Sequence, residues 1–150
     1  MPVTLTNQIL IAAPCQTVFE YVTQPWRWHE WHPNSRSAKA EVERLQAGDV
    51  FDEVIEVQPL APLPPRMKRQ THYVVEASEP HRHWQVRGDT GDGWLVIRYE
   101  LTAEGKQARF QRTLTFDVRW PTRLLLPALK RQMRATSAVA LGNLKRKIEG

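Results

Sequence analysis

Cysteine is nearly absent. Cys15 stands alone among 150 residues, which excludes an internal disulfide and a multi-cysteine metal site and fits a reducing compartment, the cytoplasm. Long apolar runs are missing too: the longest near the start, residues 9–14, falls far short of the ~20 residues that span a bilayer, and no basic segment precedes it. Neither a membrane helix nor a signal peptide is expected. The chain has only seven glycines, and Gly88, Gly91 and Gly93 lie between two strand-like runs rather than ahead of a helix, so no phosphate-cradling loop or dinucleotide fingerprint is present. Ser35, Ser137 and Cys15 have no evident base in sequence, which leaves a nucleophilic mechanism unsupported. His29-Glu30-Trp31-His32 puts two histidines three apart, where the zinc-protease helix needs four, and His72, His81 and His83 fall on other strands or turns. No metal and no cofactor are expected.

What is present describes one domain, residues 1–150, of a size that buries roughly 68–70% of its unfolded surface. A hydrophobic content of 41% and a charged content of 25% are ordinary for a globular chain and exclude a disordered or fibrous one. The net charge is +5, and Lys130, Arg131, Arg134, Lys145, Arg146 and Lys147 crowd the last quarter. Such a face could meet anionic lipid or nucleic acid, but the commoner reading is a solvated helix surface.

Apolar residues at even spacing predict a strand over 3–11, ended by Pro14. Val18, Phe19 and Val22 then predict a short helix over 15–23, and the tryptophan-rich 26–35 a second short helix or structured loop. Strands follow at 38–45 (weak), 50–58, 67–77, 82–87, 94–102 and 108–118, with turn signals between them. Short gaps argue for an antiparallel meander. The proline-rich 59–65 reads as a loop, either a lid over a cavity or a contact in a possible homodimer. Residues 127–148 form one long helix whose stripe is Leu129, Met133, Ser137, Ala140, Leu144 and Ile148, with 121–126 a lead-in turn before Pro127. The fold class is therefore α+β: a curved antiparallel sheet of six to seven strands around a long C-terminal helix, with two short helices after the first strand. A bent sheet that fails to close on its helix leaves a cavity.

Several phrases carry a resemblance. Ile11-Ala12-Ala13-Pro14 with Val18-Phe19-Glu20-Tyr21-Val22, then Trp28-His29-Glu30-Trp31-His32-Pro33, Gly48-Asp49-Val50-Phe51 and Ala140-Leu141-Gly142-Asn143-Leu144-Lys145 together resemble the START-like (SRPBCC) superfamily, in its polyketide cyclase/dehydrase and lipid-transport branch, with a Bet v 1-like helix-grip fold. The resemblance covers almost the whole chain and implies an architecture; it supplies no residue whose chemistry is fixed.

On a strand, a polar residue in the apolar phase is the one to question. Glu53 breaks the series Phe51, Ile55, Val57, and Arg112 breaks Phe110, Leu114, Phe116, Val118. Two buried opposite charges are expected to pair or to meet a ligand group. As candidate catalytic residues, Glu53 would be a general acid or base and Arg112 a stabiliser of an enolate; tight pairing would make Glu53 a poor base, so a structural or ligand-orienting role is preferred. Other expected ligand contacts are Phe51, Thr71, Tyr73, Trp84, Ile97, Tyr99, Leu114 and Phe116 from the sheet, Met133 and Ser137 from the helix, and Trp28 and Trp31 capping one end. Most of these serve equally well as core.

Three functions compete. A carrier or sensor of a small hydrophobic molecule ranks first. A cyclase or dehydratase acting on a polyketide-like substrate ranks second, and it requires a cavity group that titrates near neutral pH. A peripheral membrane or nucleic-acid binder using the basic helix ranks third; basic residues interleaved with exposed aromatics on one sheet face are not evident, so no specific nucleic acid is expected.

Overall fold

The computed structural model describes every residue except 1, 59–62 and 65. Among the described residues seven strands form one antiparallel sheet: β1 (Val3–Ile11), β2 (Ser35–Ala40), β3 (Val50–Val57), β4 (Met67–Glu79), β5 (His83–Asp89), β6 (Gly93–Glu104) and β7 (Gln107–Val118). Their order is β1-β7-β6-β5-β4-β3-β2, a meander from β2 to β7 with β1 added beside β7. Between β1 and β2 lie helix α1 (Cys15–Val22) and a 3-10 turn, Pro25–Glu30; a second 3-10 turn, Thr122–Leu125, leads into helix α2 (Leu126–Glu149). This is the helix-grip arrangement read from the sequence.

Strict alternation sets the inner face. From Gly93 to Leu101 on β6 and from Ala108 to Phe116 on β7 every second residue is buried, so Leu95, Ile97, Tyr99, Phe110, Arg112 and Leu114 point to the same side. The β6–β7 hairpin turns at Gly105, whose φ of +65° suits glycine in a tight connection. α1 buries Val18, Phe19 and Val22. Trp28 of the first 3-10 turn donates its Nε1–H to Val22 O at 2.8 Å, satisfying a carbonyl that the end of α1 leaves open.

One strand is displaced from expectation. The segment read as a strand over 38–45 pairs over Ser35–Ala40 instead, because Ala40 already faces Phe51 and only Val50 of β3 remains beyond it. With no partner backbone left, 41–44 bends away and Leu45 folds into the core. The loop expectations for 59–65 fall largely outside the described residues.

α2 is held unevenly. Its second half buries Ser137, Ala140, Leu141 and Leu144, whereas its first eleven residues bury Leu129 alone. Three tethers secure the C-terminal half: Asn143 Nδ2 to Trp31 O at 3.1 Å, Lys145 Nζ to Leu10 O at 2.8 Å, and Glu149 Oε2 accepting from Ala12 N–H at 2.8 Å. Among the described residues no helix is long and apolar enough to cross a membrane.

Candidate functional site

Glu53 on β3 and Arg112 on β7 are four strands apart in the sheet, a separation of roughly 19 Å if the sheet were flat. Both nevertheless line one small chamber, because the sheet curls around α2. The chamber holds about 40 Å³ and is walled by Trp28, Trp31, His32, Asn34, Glu53, Ile55, Tyr73, Leu95, Ile97, Tyr99, Arg112, Leu114, Met133 and Ser137. A second chamber of about 60 Å³ lies toward the start of α2, among Val57, Met67, Trp94, Phe116, Leu125 and Leu129, with the Arg69–Asp92 ion pair (2.7 Å) at its rim. Ile55, Leu95 and Met133 belong to both walls and form the partition between them. The interior is hollow but divided, and its inner end is polar while its outer end is apolar.

The sheet register explains the polar end. Tyr73 faces Phe51 across the β3–β4 pair, and Tyr99 faces Arg112 across β6–β7. Glu53 and Arg112 are each only 5% exposed, yet they do not form the direct ion pair expected of two buried opposite charges. Each takes another partner: Tyr73 Oη–H donates to Glu53 Oε1 at 3.1 Å, and Arg112 Nη1 donates to Ser137 Oγ at 3.1 Å. Ser35 Oγ stands near the Glu53 carboxyl without reaching hydrogen-bond geometry, and Arg112 acts on it through space.

The electrostatic result follows from those partners. Burial raises the Glu53 pKa from 4.5 to about 7, and Ser35, Tyr73 and Arg112 pull it down too weakly to reverse the shift. Burial, with the Arg112 charge beside it, lowers His32 to about 3, so its ring is neutral. Its Nδ1 accepts the Asn34 N–H at 3.2 Å, which leaves Nε2 to carry the ring proton. Burial also pushes both tyrosine phenols up; the nearby Glu53 carboxyl reinforces the shift at Tyr73. Tight pairing was expected to make Glu53 a poor base; without it, the carboxyl titrates in the neutral range.

Of the residues anticipated from sequence, Trp28, Trp31, Glu53, Tyr73, Ile97, Tyr99, Arg112, Leu114, Met133 and Ser137 stand on the inner wall and Phe116 on the outer one. Phe51, Thr71 and Trp84 do not line either chamber. Phe51 stacks on Tyr73 (centroids 4.6 Å apart) and lies parallel to Trp84, which stacks on Tyr99 (5.4 Å). Thr71 is fully buried with its methyl against Gly88. These three support the wall from behind. Trp28 closes the cluster by meeting Phe51, Tyr73, Trp84 and Tyr99 edge-on, so packing and cavity wall are one role. His32 and Asn34 were not anticipated on the wall. Their only sequence signal is their position just after Trp31. No group of histidine, cysteine and acidic residues among the described residues is arranged to hold a metal ion.

The family model for polyketide cyclase / dehydrase and lipid transport matches residues 2–149. Among solved structures, the Zhui aromatase/cyclase of a Streptomyces strain is 14% identical with a TM-score of 0.77, covering 99% of this chain and 94% of its own. A Thermus thermophilus protein is 15% identical with a TM-score of 0.74, covering 97% of both chains. A START superfamily protein of Mycobacterium smegmatis is 13% identical with a TM-score of 0.69, again covering 97% of both. A comparison with curated proteins returns no match. At these identities the structures establish the shared fold alone.

Proposed function

Since the chain belongs to the polyketide cyclase / dehydrase and lipid transport family, we propose that it binds one small, largely apolar, oxygen-bearing molecule between the sheet and α2. Family and fold suggest a ligand-binding or cyclase-like role, and family members bind small hydrophobic molecules. The observation that carries the reading is the polarity of the divided interior: both buried charges, Glu53 and Arg112, sit in the inner chamber, and the wall beyond Met133 is mostly apolar, its charged groups being the paired Arg69 and Asp92. A ligand with a polar head and an apolar body matches that gradient, with Glu53 and Arg112 setting its orientation.

The chambers of about 40 and 60 Å³ are well below the ~300–1,000 Å³ of a typical ligand site. Binding therefore requires the partition to move and the wall to yield. The thinly buried first half of α2 is the wall that can do so, while the tethers to Leu10, Ala12 and Trp31 keep the second half in place.

A second reading, as a cyclase or dehydratase, is favoured by one observation: Glu53 has a pKa of about 7, so both its forms are populated at neutral pH. The carboxylate would take a proton from the carbon next to a carbonyl, and the acid form would return one to the oxygen that leaves. Arg112, in the same chamber, would stabilise the enolate oxygen formed between these steps.

The lone Cys15 supports a place in the reducing cytoplasm. Support for a membrane-binding role is weaker, because part of the basic helix is already engaged: Lys145 with Glu149 and Leu10 O, Arg146 with Asn143.

Native mass spectrometry of freshly purified protein tests the binding reading. The expected spectrum carries one small-molecule adduct per chain that is lost on denaturation. A bare chain that also fails to take up a fluorescent lipid would overturn it. Recovery of the bound molecule chemically unchanged supports a carrier, and its conversion during incubation supports the enzyme.

A further inference from the structure

Two buried donors on the inner wall have no acceptor among the described residues: the Nε1–H of Trp31 and the Nε–H of Arg112. Both residues are almost wholly enclosed, at 2% and 5% exposure, where an unmatched donor costs about 1–3 kcal/mol. The remaining polar groups do not supply the deficit. Ser137 Oγ is already taken by Arg112 Nη1, and Glu53 Oε1 by Tyr73. His32 Nδ1 is taken by the Asn34 N–H, so the ring offers a donor and no further acceptor. Tyr99, Asn34 and the second oxygen of Glu53 also line the chamber, and Tyr99 interacts with the Arg112 side chain, yet Trp31 Nε1 and Arg112 Nε stay without an acceptor.

Its charge is unbalanced as well. The guanidinium of Arg112 is permanently protonated, and among the described residues no carboxylate lies within ion-pair distance of it; Glu53, only partly ionised at neutral pH, acts on it through space. A neutral hydroxyl head could accept from both donors, but it would leave the charge unmatched and bring a donor of its own. An ammonium head would add a like charge and more donors. A monoanion answers both deficits at once.

We infer that the inner chamber is a head-group site for a monoanion, a carboxylate or an enolate, whose oxygens accept from Trp31 Nε1 and Arg112 Nε while its apolar body passes Met133 into the outer chamber. The inference rests on the ligand-binding reading above and specifies its ligand class. Met133 suits the position, since its unbranched side chain can re-pack to open the partition without a large loss of contact. The groups facing Glu53 are Ser35 on β2, Tyr73 on β4, Tyr99 on β6 and Arg112 on β7, with His32 beside Arg112. Of these only Arg112 is charged at neutral pH. An anionic head beside it therefore favours the protonated carboxyl of Glu53, and anion affinity falls between pH 6 and pH 8.

The test compares four probes on the intact protein by calorimetry at pH 7: decanoate, an enolised 2-octyl-1,3-cyclohexanedione, decanol and decylamine. At least one anion is expected to bind about tenfold or more tighter than decanol, the worth of a charge-assisted hydrogen bond, with decylamine weakest. Preference for decanoate assigns a carboxylate head, and preference for the dione an enolate. Arg112→Met and, as a milder change that retains the fold, Trp31→Phe should each reduce the ratio of anion to decanol affinity by about tenfold. Equal binding of decanol and both anions would overturn the anion site and leave the ligand cavity standing, as would a preference that survives both substitutions. Failure of all four probes to bind would overturn the cavity reading with it.

Discussion

Arg112 of β7 and Ser137 of α2 are joined by a buried hydrogen bond of 3.1 Å that ties the concave face of the sheet to the middle of the closing helix. The bond turns a potential ion-pair partner of Glu53 toward the helix. Removing the hydroxyl in Ser137→Ala takes the acceptor from a buried charged donor, at a cost of about 1.5–3 kcal/mol. The expected result is a lower midpoint of urea unfolding with an unchanged slope.

Glu53 gives a pH signature of definite sign. Its carboxyl titrates at about 7 in the folded chain against 4.5 ordinarily, so between those values the unfolded chain has released a proton that the folded chain keeps. The contribution of Glu53 to stability therefore falls as pH rises from 4.5 to 7 and is level above. Glu53→Gln, which mimics the protonated form, should be more stable than the parent at pH 8 by about 1–3 kcal/mol and nearly equal to it at pH 4.5. Paired unfolding curves at the two pH values check this.

His32 contributes with the opposite sign. Its pKa is depressed to about 3 from 6.5, so the unfolded chain gains a proton that the folded chain refuses, and stability is lost as pH falls from 6.5 toward 3. In His32→Asn the acid limb of the stability profile should be flatter than in the parent. An unchanged acid limb would show that the ring takes up its proton without strain.

Gly88 controls Glu53 from behind the wall. A Cβ at this position would stand 2.7 Å from the Thr71 methyl and 2.8 Å from Tyr73 Cε1, closer than packed atoms tolerate. Because Tyr73 is stacked on Phe51 and bonded to Glu53, it cannot move aside freely. Gly88→Ala should destabilise the chain by about 1–3 kcal/mol and, by weakening the Tyr73 hydrogen bond, raise the Glu53 pKa further. Side-chain carbon NMR of Glu53 reads the second effect.

The architecture was legible because periodicity of two along β6 and β7 and of three to four along α2 leaves little freedom for where those elements face. The same rule singled out Glu53 and Arg112, since a charge in an apolar phase stands out without knowledge of the fold. Their separate partners were not legible. Whether β3 and β7 bring two side chains into contact depends on how far the sheet curls, and strand patterning carries no measure of curl. Nor could periodicity place His32 and Asn34, which follow a 3-10 turn where no repeat exists. Thr71 and Trp84 were assigned to the right face, but the aromatic stack is deep enough that the inward face contains both wall and backing.

Met133 separates the two chambers, so filling it tests most directly whether ligand passes between them. The measurement is titration of the parent chain and of Met133→Trp with a fluorescent fatty acid, with a melting curve of each to establish that both are folded. The expected result is saturable uptake of one molecule per chain by the parent and a loss of about tenfold or more in affinity for the variant. Equal uptake by a folded Met133→Trp would contradict binding between the sheet and α2 and place the ligand elsewhere on the molecule.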